Sequence, residues 1–235
     1  VYEDENILLV DKPVGMVVHE DESGDSDTLI NRIKSYLYHK GEYHPENELS
    51  FAPALCNRID RNTCGIVIAA KNAESLRILN QKIRDRELTK LYLCIACGKV
   101  TPDSATLTAY LEKNSDTNTV KISDKKTKSN LTIKTKYKVI AYNGENSLLK
   151  VDLLTGRTHQ IRAHLAYIGH ALLGDGKYGN NKLNKKYGFK YQALCSYELQ
   201  FKFTTDAGCL SYLDGKCFKA KAPDFVKMFG SNIKL

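Results

Sequence analysis

Residues 131–139 alternate with a strict period of two, and this pattern constrains the fold more than any other feature of the chain. Apolar or small side chains occupy one parity and lysines the other: Leu131, Ile133, Thr135, Tyr137 and Val139 against Lys134, Lys136 and Lys138. Successive side chains of a β-strand point to opposite faces of its sheet. The segment therefore predicts a sheet with one buried face and one solvated, basic face.

Helical and strand patterns elsewhere predict a mixed α and β domain. The expected elements are strands over 7–10, 16–19, 91–96 and 149–153, helices from Leu29 to a break at Gly41, over 73–86 and over 161–168, and a basic loop over 180–192. Asp27 or Thr28 can cap the first helix. In the second helix the apolar spacing places Leu79 inward and Lys82 outward. No apolar run approaches the roughly 20 residues of a membrane helix, and no secretory signal is recognisable, so we expect a cytoplasmic protein.

Charge is distributed unevenly along the chain, whose net charge is +8 at pH 7. Residues 1–60 hold 5 Lys and Arg against 13 Asp and Glu, whereas the remaining 175 residues hold 30 against 14. A basic surplus of this size attracts polyanions, and nucleic acid is the first partner to consider. Lysine-rich surfaces also keep proteins soluble, so charge alone leaves both interpretations open.

The cysteines and histidines do not have the spacing of metal ligands. Seven irregularly spaced cysteines favour free thiols over a disulfide framework. Cys94 and Cys97 lie in a strand-like run, where residues three apart point to opposite faces and cannot share a metal without a turn. On a helix His159 and His164 stand roughly 140° apart, whereas a zinc-binding pair is spaced four residues apart. We therefore expect no metal site.

A basic segment at 155–164 starts as a turn and continues into a short helix. The N-terminus of a helix favours anions, and Arg157 at this turn adds a guanidinium group that binds phosphate. Together they predict a phosphate-binding site. His159 and Arg162 are expected on the helix face opposite the apolar stripe, where they would meet a backbone phosphate or a carboxylate. The alternative is that Arg162 pairs with a structural aspartate.

Asp60 is a carboxylate with arginines on both sides, in the sequence NRIDR at 57–61. In extended backbone Arg58 and Asp60 point to the same side. An aspartate beside arginines stays ionised, which suits a nucleophile or a base. A surface ion cluster explains the same residues without any chemistry.

Three stretches taken together resemble the pseudouridine synthases, specifically the RluA-type branch that modifies large-subunit ribosomal RNA and some tRNAs. They are EDENILLVDKPVGMVVH at 3–19, NRIDRNTCG at 57–65 and TGRTHQIRAHLAYIGHALLGDGKYG at 155–179. The KLY sequence at 90–92 is similar to the Lys-x-Tyr strand of the same family.

This resemblance implies an α+β fold, a single catalytic domain over 1–235 with a mixed, largely antiparallel central sheet, flanking helices and a basic active-site cleft. It implies that Asp60 is the catalytic aspartate and that Arg162 pairs with it. Tyr92 would pack against the target base, and Arg58 would help to extrude the nucleotide. RNA contacts are expected from Arg58, Arg61, Lys90, Arg157 and His159.

The implied reaction breaks the N1–C1′ bond of uridine and rejoins the uracil through C5, and it needs no cofactor. An ionised Asp60 can attack C1′ or take the 2′ proton, and both routes stay open. Because C1′ and C5 are inaccessible in a stacked helix, the nucleotide must leave the stack. The expected enzyme is a monomer that acts on RNA, most of all 23S ribosomal RNA, without membrane association.

Four positions depart from the family pattern. Asn57 replaces a histidine, Asn62 an aspartate, Cys64 a serine and Cys195 a frequent histidine. The first three remove no group that the chemistry needs. The chain starts directly at the catalytic region, so we expect either that the small N-terminal RNA-binding domain of many relatives is lacking or that the chain is a fragment.

Three other functions remain possible: a tRNA pseudouridine synthase, a non-catalytic RNA-binding or ribosome-assembly module with the same fold, and a metal-dependent nuclease. The presence of Asp60, Tyr92 and Arg162 together counts against the binding module, since binding phosphates does not need a carboxylate. A nuclease would need clustered carboxylates for Mg²⁺, and only Asp60 is available at the site.

Overall fold

The computed structural model describes residues 1–20, 26–47, 51–114, 116–231 and 233–235. In chain order the elements are β1 (Tyr2–Glu3), β2 (Ile7–Lys12), α1 (Leu29–His39), β3 (Ala54–Leu55), β4 (Cys64–Ala70), α2 (Ala73–Arg84), β5 (Leu88–Cys97), β6 (Ser104–Asn114), β7 (Thr119–Ser123), β8 (Leu131–Tyr142), β9 (Asn146–Asp152), α3 (Gln160–Tyr167), α4 (Asn181–Lys186), β10 (Leu194–Phe201) and β11 (Cys217–Lys219). Two short 3-10 helices cover Gly208–Leu213 and Asp224–Phe229. The chain divides into two compact units, Val1–Thr89 with Ser196–Lys221 and Lys90–Cys195 with Ala222–Leu235. Within the described residues, no helix is long and apolar enough to cross a membrane.

An antiparallel sheet forms the core of the first unit. β2 pairs with β1 and β4, β3 pairs with β4, and β11 pairs with β10. The register of β2 on β4 sets Leu9 opposite Ile68 and Lys12 opposite Gly65. β4 is buried from Gly65 to Ala70. A strand covered on both faces reads as a continuous apolar run, which is the sequence pattern of β4.

The helix α1 begins and ends close to the predicted residues, but the predicted strand over 16–19 is wrong. Thr28 caps α1, and its Oγ1 accepts a hydrogen bond from the Asn31 N–H at 3.3 Å. The carbonyls of Val17 and Val18 accept hydrogen bonds from the first N–H groups of α1. These N–H groups have no partner within the helix itself. Val17 and Val18 are therefore buried by capping a helix and not by joining a sheet.

The prediction that Lys82 faces outward from α2 is also wrong. Its side chain is 1% exposed, and its Nζ lies 2.7 Å from Glu87 Oε2 and 2.6 Å from both Thr205 O and Thr205 Oγ1. A buried ammonium is tolerated when it is paired and hydrogen-bonded. Leu79 is buried, as predicted.

The second unit contains the sheet β5–β9–β8–β6–β7, in which each neighbouring pair is antiparallel. The alternation predicted for β8 is confirmed over 133–138, whereas Leu131, predicted on the buried face, is exposed and Val139 is half-buried. Ile133, Thr135 and Tyr137 are buried, whereas the lysines between them and after them are exposed. α3 packs on the buried face, where Ala163 joins Leu111 and other apolar residues of β6, β7 and β8. The mostly antiparallel sheets and few helices confirm the α+β class, and the basic cleft stays a prediction.

The prediction of a basic loop over 180–192 is wrong in its first half, because α4 forms there. Asn180 Oδ1 caps α4 by accepting from Lys182 N at 2.9 Å and from Leu183 N at 3.3 Å. Asn184 is buried, accepts from Gly174 N at 2.7 Å and donates to Asp175 O at 3.2 Å. Asparagine side chains therefore define a helix in a segment whose composition is typical of a solvated loop.

Candidate active site

Asp60 is the first residue of a turn that leads into β4. Its carbonyl accepts a hydrogen bond from the buried Thr63 N–H at 3.0 Å. Arg58 is exposed, Ile59 is buried and Asp60 is half-buried. This alternation of burial agrees with the expectation that Arg58 and Asp60 point to one side of the backbone and Ile59 to the other.

Lys12, at the end of β2, joins the Asp60 turn to the loop that follows β2. It is fully buried, and its Nζ donates to Pro13 O at 2.9 Å, Met16 O at 2.8 Å and Arg61 O at 2.9 Å. An ammonium group has three donors, so all of them are used. Burial lowers the pKa of Lys12 to about 8, although the nearby Cys64 and Asp60 favour its charged form. Sequence reasoning missed this role, because a lysine after an apolar strand reads as a solvated strand end.

Two other positions near Asp60 have structural roles. Asn57 Oδ1 accepts a hydrogen bond from the Ile68 N–H at 2.8 Å, so this departure from the family pattern supports the backbone of β4. Gly65 has φ +104, and a Cβ at this position would lie 2.1 Å from Ser196 O. Both the backbone conformation and the close approach require glycine at Gly65.

In the second unit, Lys90 and Tyr92 lie on the same face of β5 because they are two residues apart. Tyr92 is 6% exposed and is paired with Val151 of β9. Lys90 is half-buried, and its carbonyl accepts a hydrogen bond from Leu153 N at 3.3 Å. The position of the Tyr92 ring is therefore set by the pairing of β5 with β9.

A buried ion pair holds Arg162 on α3. Its Nε lies 2.7 Å from Asp175 Oδ2, and its Nη2 lies 3.0 Å from Asp175 Oδ1. Asp175 Oδ1 also accepts from the backbone N–H groups of Lys177 and Tyr178, at 2.8 and 3.1 Å. Burial alone would raise the pKa of Asp175, but Arg162 and these two N–H groups lower it. The alternative in which Arg162 pairs with a structural aspartate is thus observed, and sequence reasoning did not identify Asp175.

The surroundings of Arg162 also correct the prediction of a polar face on α3. Every residue from Gln160 to Leu165 is buried, so α3 has no solvated side in this stretch. Since Arg162 is buried with Asp175, the charge pattern along α3 reflects internal pairing as well as any contact with a ligand.

Gln160 determines the conformation of the turn that precedes α3. Its Oε1 accepts from Thr155 Oγ1 at 2.8 Å and from Arg157 N at 3.2 Å. Its Nε2 donates to Lys134 O at 3.1 Å and to Thr135 Oγ1 at 3.0 Å. The turn is thereby attached to β8, and the Arg157 side chain is exposed.

The two histidines of this segment lie in different environments. His159 has a left-handed backbone with φ +50, and its Nδ1 lies 3.0 Å from Tyr178 OH, which accepts from Val120 N at 2.9 Å. His164 is buried, and its Nδ1 lies 3.0 Å from Thr135 Oγ1. Burial lowers the pKa of His164 to about 4, so its ring is neutral at pH 7. In the part of the chain that the structure describes, no group of three or more His, Cys, Asp or Glu residues could hold a metal ion.

The predicted site residues fall into two groups, one in each unit. Arg58, Asp60 and Arg61 belong to the first unit, and the second unit contains Lys90, Tyr92, Arg157, His159 and Arg162. Cys195 is buried, and the structure gives no account of why it replaces a histidine.

Solved structures define the class of the fold. The human protein RNA pseudouridylate synthase domain containing 4 superposes with a TM-score of 0.74 and 19% identity, over 97% of this chain and 89% of that chain. Human RNA pseudouridylate synthase domain containing 1 gives a TM-score of 0.71 and 22% identity, over 95% of this chain and 82% of that chain. The architecture is that of a pseudouridylate synthase domain.

Sequence comparisons then define the family. The sequence model of a protein family described as RNA pseudouridylate synthase matches residues 6–167. An uncharacterized RNA pseudouridine synthase of Mycoplasma genitalium is 38% identical over 208 residues, 86% of this chain and 62% of its own length. Ribosomal large subunit pseudouridine synthase D of Borreliella burgdorferi is 34% identical over 180 residues, 76% of this chain and 54% of its own length. This chain belongs to the RNA pseudouridylate synthase family, a family of isomerases that act on uridines in RNA, as its motifs predict.

Proposed function

We propose that this chain isomerises uridine to pseudouridine in RNA and that large-subunit ribosomal RNA is its substrate. Membership of the family supports the reaction, although the chain spans only about 54 to 62% of the two relatives described above. One of them is named as a ribosomal large subunit enzyme, which favours ribosomal RNA over tRNA. The observation that carries the proposal is the Asp60 turn, because Lys12 and Thr63 hold the backbone of the turn that bears the half-buried Asp60.

Asp60 is the proposed catalytic carboxylate. In one route it attacks C1′, the C1′–N1 bond breaks and a glycosyl ester forms; C5 of the rotated uracil then attacks C1′ and releases the carboxylate. In the other route Asp60 takes the proton from C2′, the C1′–N1 bond breaks and a glycal forms; C5 of the uracil then adds to C1′ and the proton returns to C2′. In both routes the proton on C5 is finally lost and N1 gains one, so no oxidant or reductant is consumed.

The other proposed roles follow from the need to take the nucleotide out of the stack. Arg58 is exposed and is proposed to fill the vacancy that the extruded nucleotide leaves. Tyr92 is proposed to stack on the target base. Arg162 is proposed as the cationic group that keeps the catalytic carboxylate charged, and Asp175 sets its orientation.

Phosphate contacts are proposed for the remaining basic residues of the site. Arg61 and Arg157 are exposed, whereas Lys90 and His159 are half-buried. Guanidinium groups bind phosphate in a bidentate manner, which suits the two exposed arginines. These contacts would position the RNA without reading its sequence.

Tritium release from RNA labelled at C5 of uridine tests the proposal. We expect the parent chain to release label into water and Asp60→Asn to release none, with RNA binding unchanged. Asp85→Asn is a matched control, because Asp85 is exposed at the end of α2, and it should behave like the parent. Full activity in Asp60→Asn would refute the mechanism. Size fractionation of the RNA that loses label separates ribosomal RNA from tRNA.

A parent chain that binds RNA but releases no label from any fraction would instead favour the non-catalytic RNA-binding module. Cleavage of the RNA that a chelator abolishes would favour the nuclease. The same assay therefore separates the proposed function from both alternatives.

A further inference from the structure

We infer that the solvated face of β6, β7 and β8 is a second RNA-binding surface, which binds the phosphate backbone of a folded RNA apart from the nucleotide that is modified. We call it the lysine face, and it comprises Lys121, Lys134, Lys136 and Lys138 with the hydroxyl residues Ser104, Thr106 and Thr108. The inference rests on the proposed function, since it concerns how the RNA substrate is held.

Strand register places the lysine face on the opposite side of the sheet from Tyr92. Tyr92 of β5 pairs with Val151 of β9, which pairs with Tyr137 of β8, so these three side chains share the buried face. Lys136 and Lys138 flank Tyr137 along β8 and therefore point to the other side. α3 packs on the buried face, where Gln160 and His164 contact Thr135. The lysine face is thus separate from Tyr92 and from the helix that bears Arg162.

The composition of the lysine face fits a phosphate backbone. Lys134, Lys136 and Lys138 are exposed and pair across the ladder with Thr108, Thr106 and Ser104, which are exposed as well. Alternate residues of a strand are about 6.8 Å apart, a distance comparable with that between successive phosphates of one nucleic-acid strand. Ammonium groups and hydroxyl donors are both common ligands of nucleic-acid phosphates. The face therefore presents a row of cations beside a row of hydroxyl groups.

The charge of this face is not neutralised by its neighbours. Within the described residues, the ammonium groups of Lys134, Lys136 and Lys138 have no carboxylate partner. Two carboxylates, Glu112 and Asp152, share the face, according to their pairing with Lys121 and Lys136. Lysines remain in the majority, so the face attracts polyanions.

Two simpler explanations for the lysines fit less well. Lysines often protect the edge of a sheet from pairing with another chain. β8 is not an edge strand, since it pairs with β6 on one side and β9 on the other. A protein partner would be expected to bury aromatic or aliphatic side chains at the centre of its interface. This face consists mostly of lysine, threonine and serine, and its tyrosine, Tyr110, is half-buried with the Lys126 ammonium 5.4 Å from its ring. RNA is therefore the favoured occupant.

The triple variant Lys134→Gln, Lys136→Gln, Lys138→Gln tests the inference. Its matched control is Lys182→Gln, Lys185→Gln, Lys190→Gln, which removes the same charge from exposed positions on and after α4. Both variants are compared with the parent by filter binding to an unmodified 23S ribosomal RNA transcript across a salt series. Thermal unfolding followed by circular dichroism checks that both variants fold.

We expect the first variant to bind the transcript roughly 10- to 100-fold more weakly near 0.1 M salt. The slope of log K against log salt should fall by about 2 to 3, because each phosphate contact contributes about 0.7 to 0.9. The KM for tritium release from the transcript should rise in parallel while kcat stays unchanged. The shortest fragment that the parent still modifies should be turned over equally well by all three proteins.

Equal weakening by the control variant would overturn the inference, because total charge would then explain the effect. Binding of the first variant that matches the parent would overturn it too. Binding is measured without turnover, so a failure of the proposed function appears separately, as the absence of tritium release by the parent chain.

Discussion

Replacing Asp175 with asparagine tests whether its buried pair with Arg162 holds the second unit together. Asp175 is fully buried, and its two oxygens accept hydrogen bonds from Arg162 and from the backbone of Lys177 and Tyr178. Asparagine has nearly the same shape, but its amide nitrogen would face a donor at one of these positions. The guanidinium group would also remain buried without its counter-charge.

The expected cost follows from these contacts. A hydrogen bond to a charged group contributes about 1.5–3 kcal/mol, and two such bonds join Arg162 to Asp175. Removing one partner of a buried ion pair typically costs about 3–5 kcal/mol. We therefore expect Asp175→Asn to lower the free energy of unfolding by about 3–5 kcal/mol. With an m-value of about 3 kcal/mol/M, the urea midpoint falls by roughly 1–1.7 M.

Urea titration followed by tyrosine fluorescence and circular dichroism measures this change, since the chain has 14 tyrosines and no tryptophan. The double variant Arg162→Met, Asp175→Leu is the control, because an apolar pair of similar volume often replaces a buried ion pair at little cost. It should recover only part of the stability, because the N–H groups of Lys177 and Tyr178 lose their acceptor, and it should not restore tritium release. A midpoint for Asp175→Asn within about 0.3 M of the parent would refute the reasoning.

Two further predictions concern other buried titratable groups. Lys12→Met removes a donor from the carbonyls of Pro13, Met16 and Arg61, of which Arg61 O keeps the Gly15 N–H. It should lower the free energy of unfolding by about 2 kcal/mol, since each of the other two carbonyls loses this hydrogen bond at a cost of about 1 kcal/mol, and an unchanged urea midpoint would contradict this. The folded pKa of His164, about 4, lies below the unfolded value of about 6.5, so the unfolded state alone takes up this proton between these pH values. Stability should therefore fall as pH drops from about 6.5 towards 4, by about 3 kcal/mol at most, and His164→Asn should flatten this part of the pH profile of urea midpoints.

Local sequence patterns determined the elements in which one face is buried or one cap is decisive. The period of two specified β8 and its two faces over 133–138. Asp27 or Thr28 before Leu29 predicted the start of α1, and the structure shows that Thr28 is the cap. In a helix or a strand the residues that face the core recur at a fixed spacing, so burial produces a pattern of apolar residues that can be seen in the sequence. The motifs at 3–19, 57–65 and 155–179 also determined the family from the sequence alone, because each is a continuous stretch and the three follow one another in order along the chain.

The tertiary structure alone decided which polar groups are buried together. Lys82 read as a solvated position, yet its acceptors come from Glu87 and from Thr205, more than a hundred residues away. Lys12 depends in the same way on the carbonyl of Arg61, and Arg162 depends on Asp175. A hydrogen-bond partner that is distant in sequence leaves no periodic signal near either residue. Such groups resemble surface residues in the sequence, and only the packing of the chain shows that they support the candidate site from within.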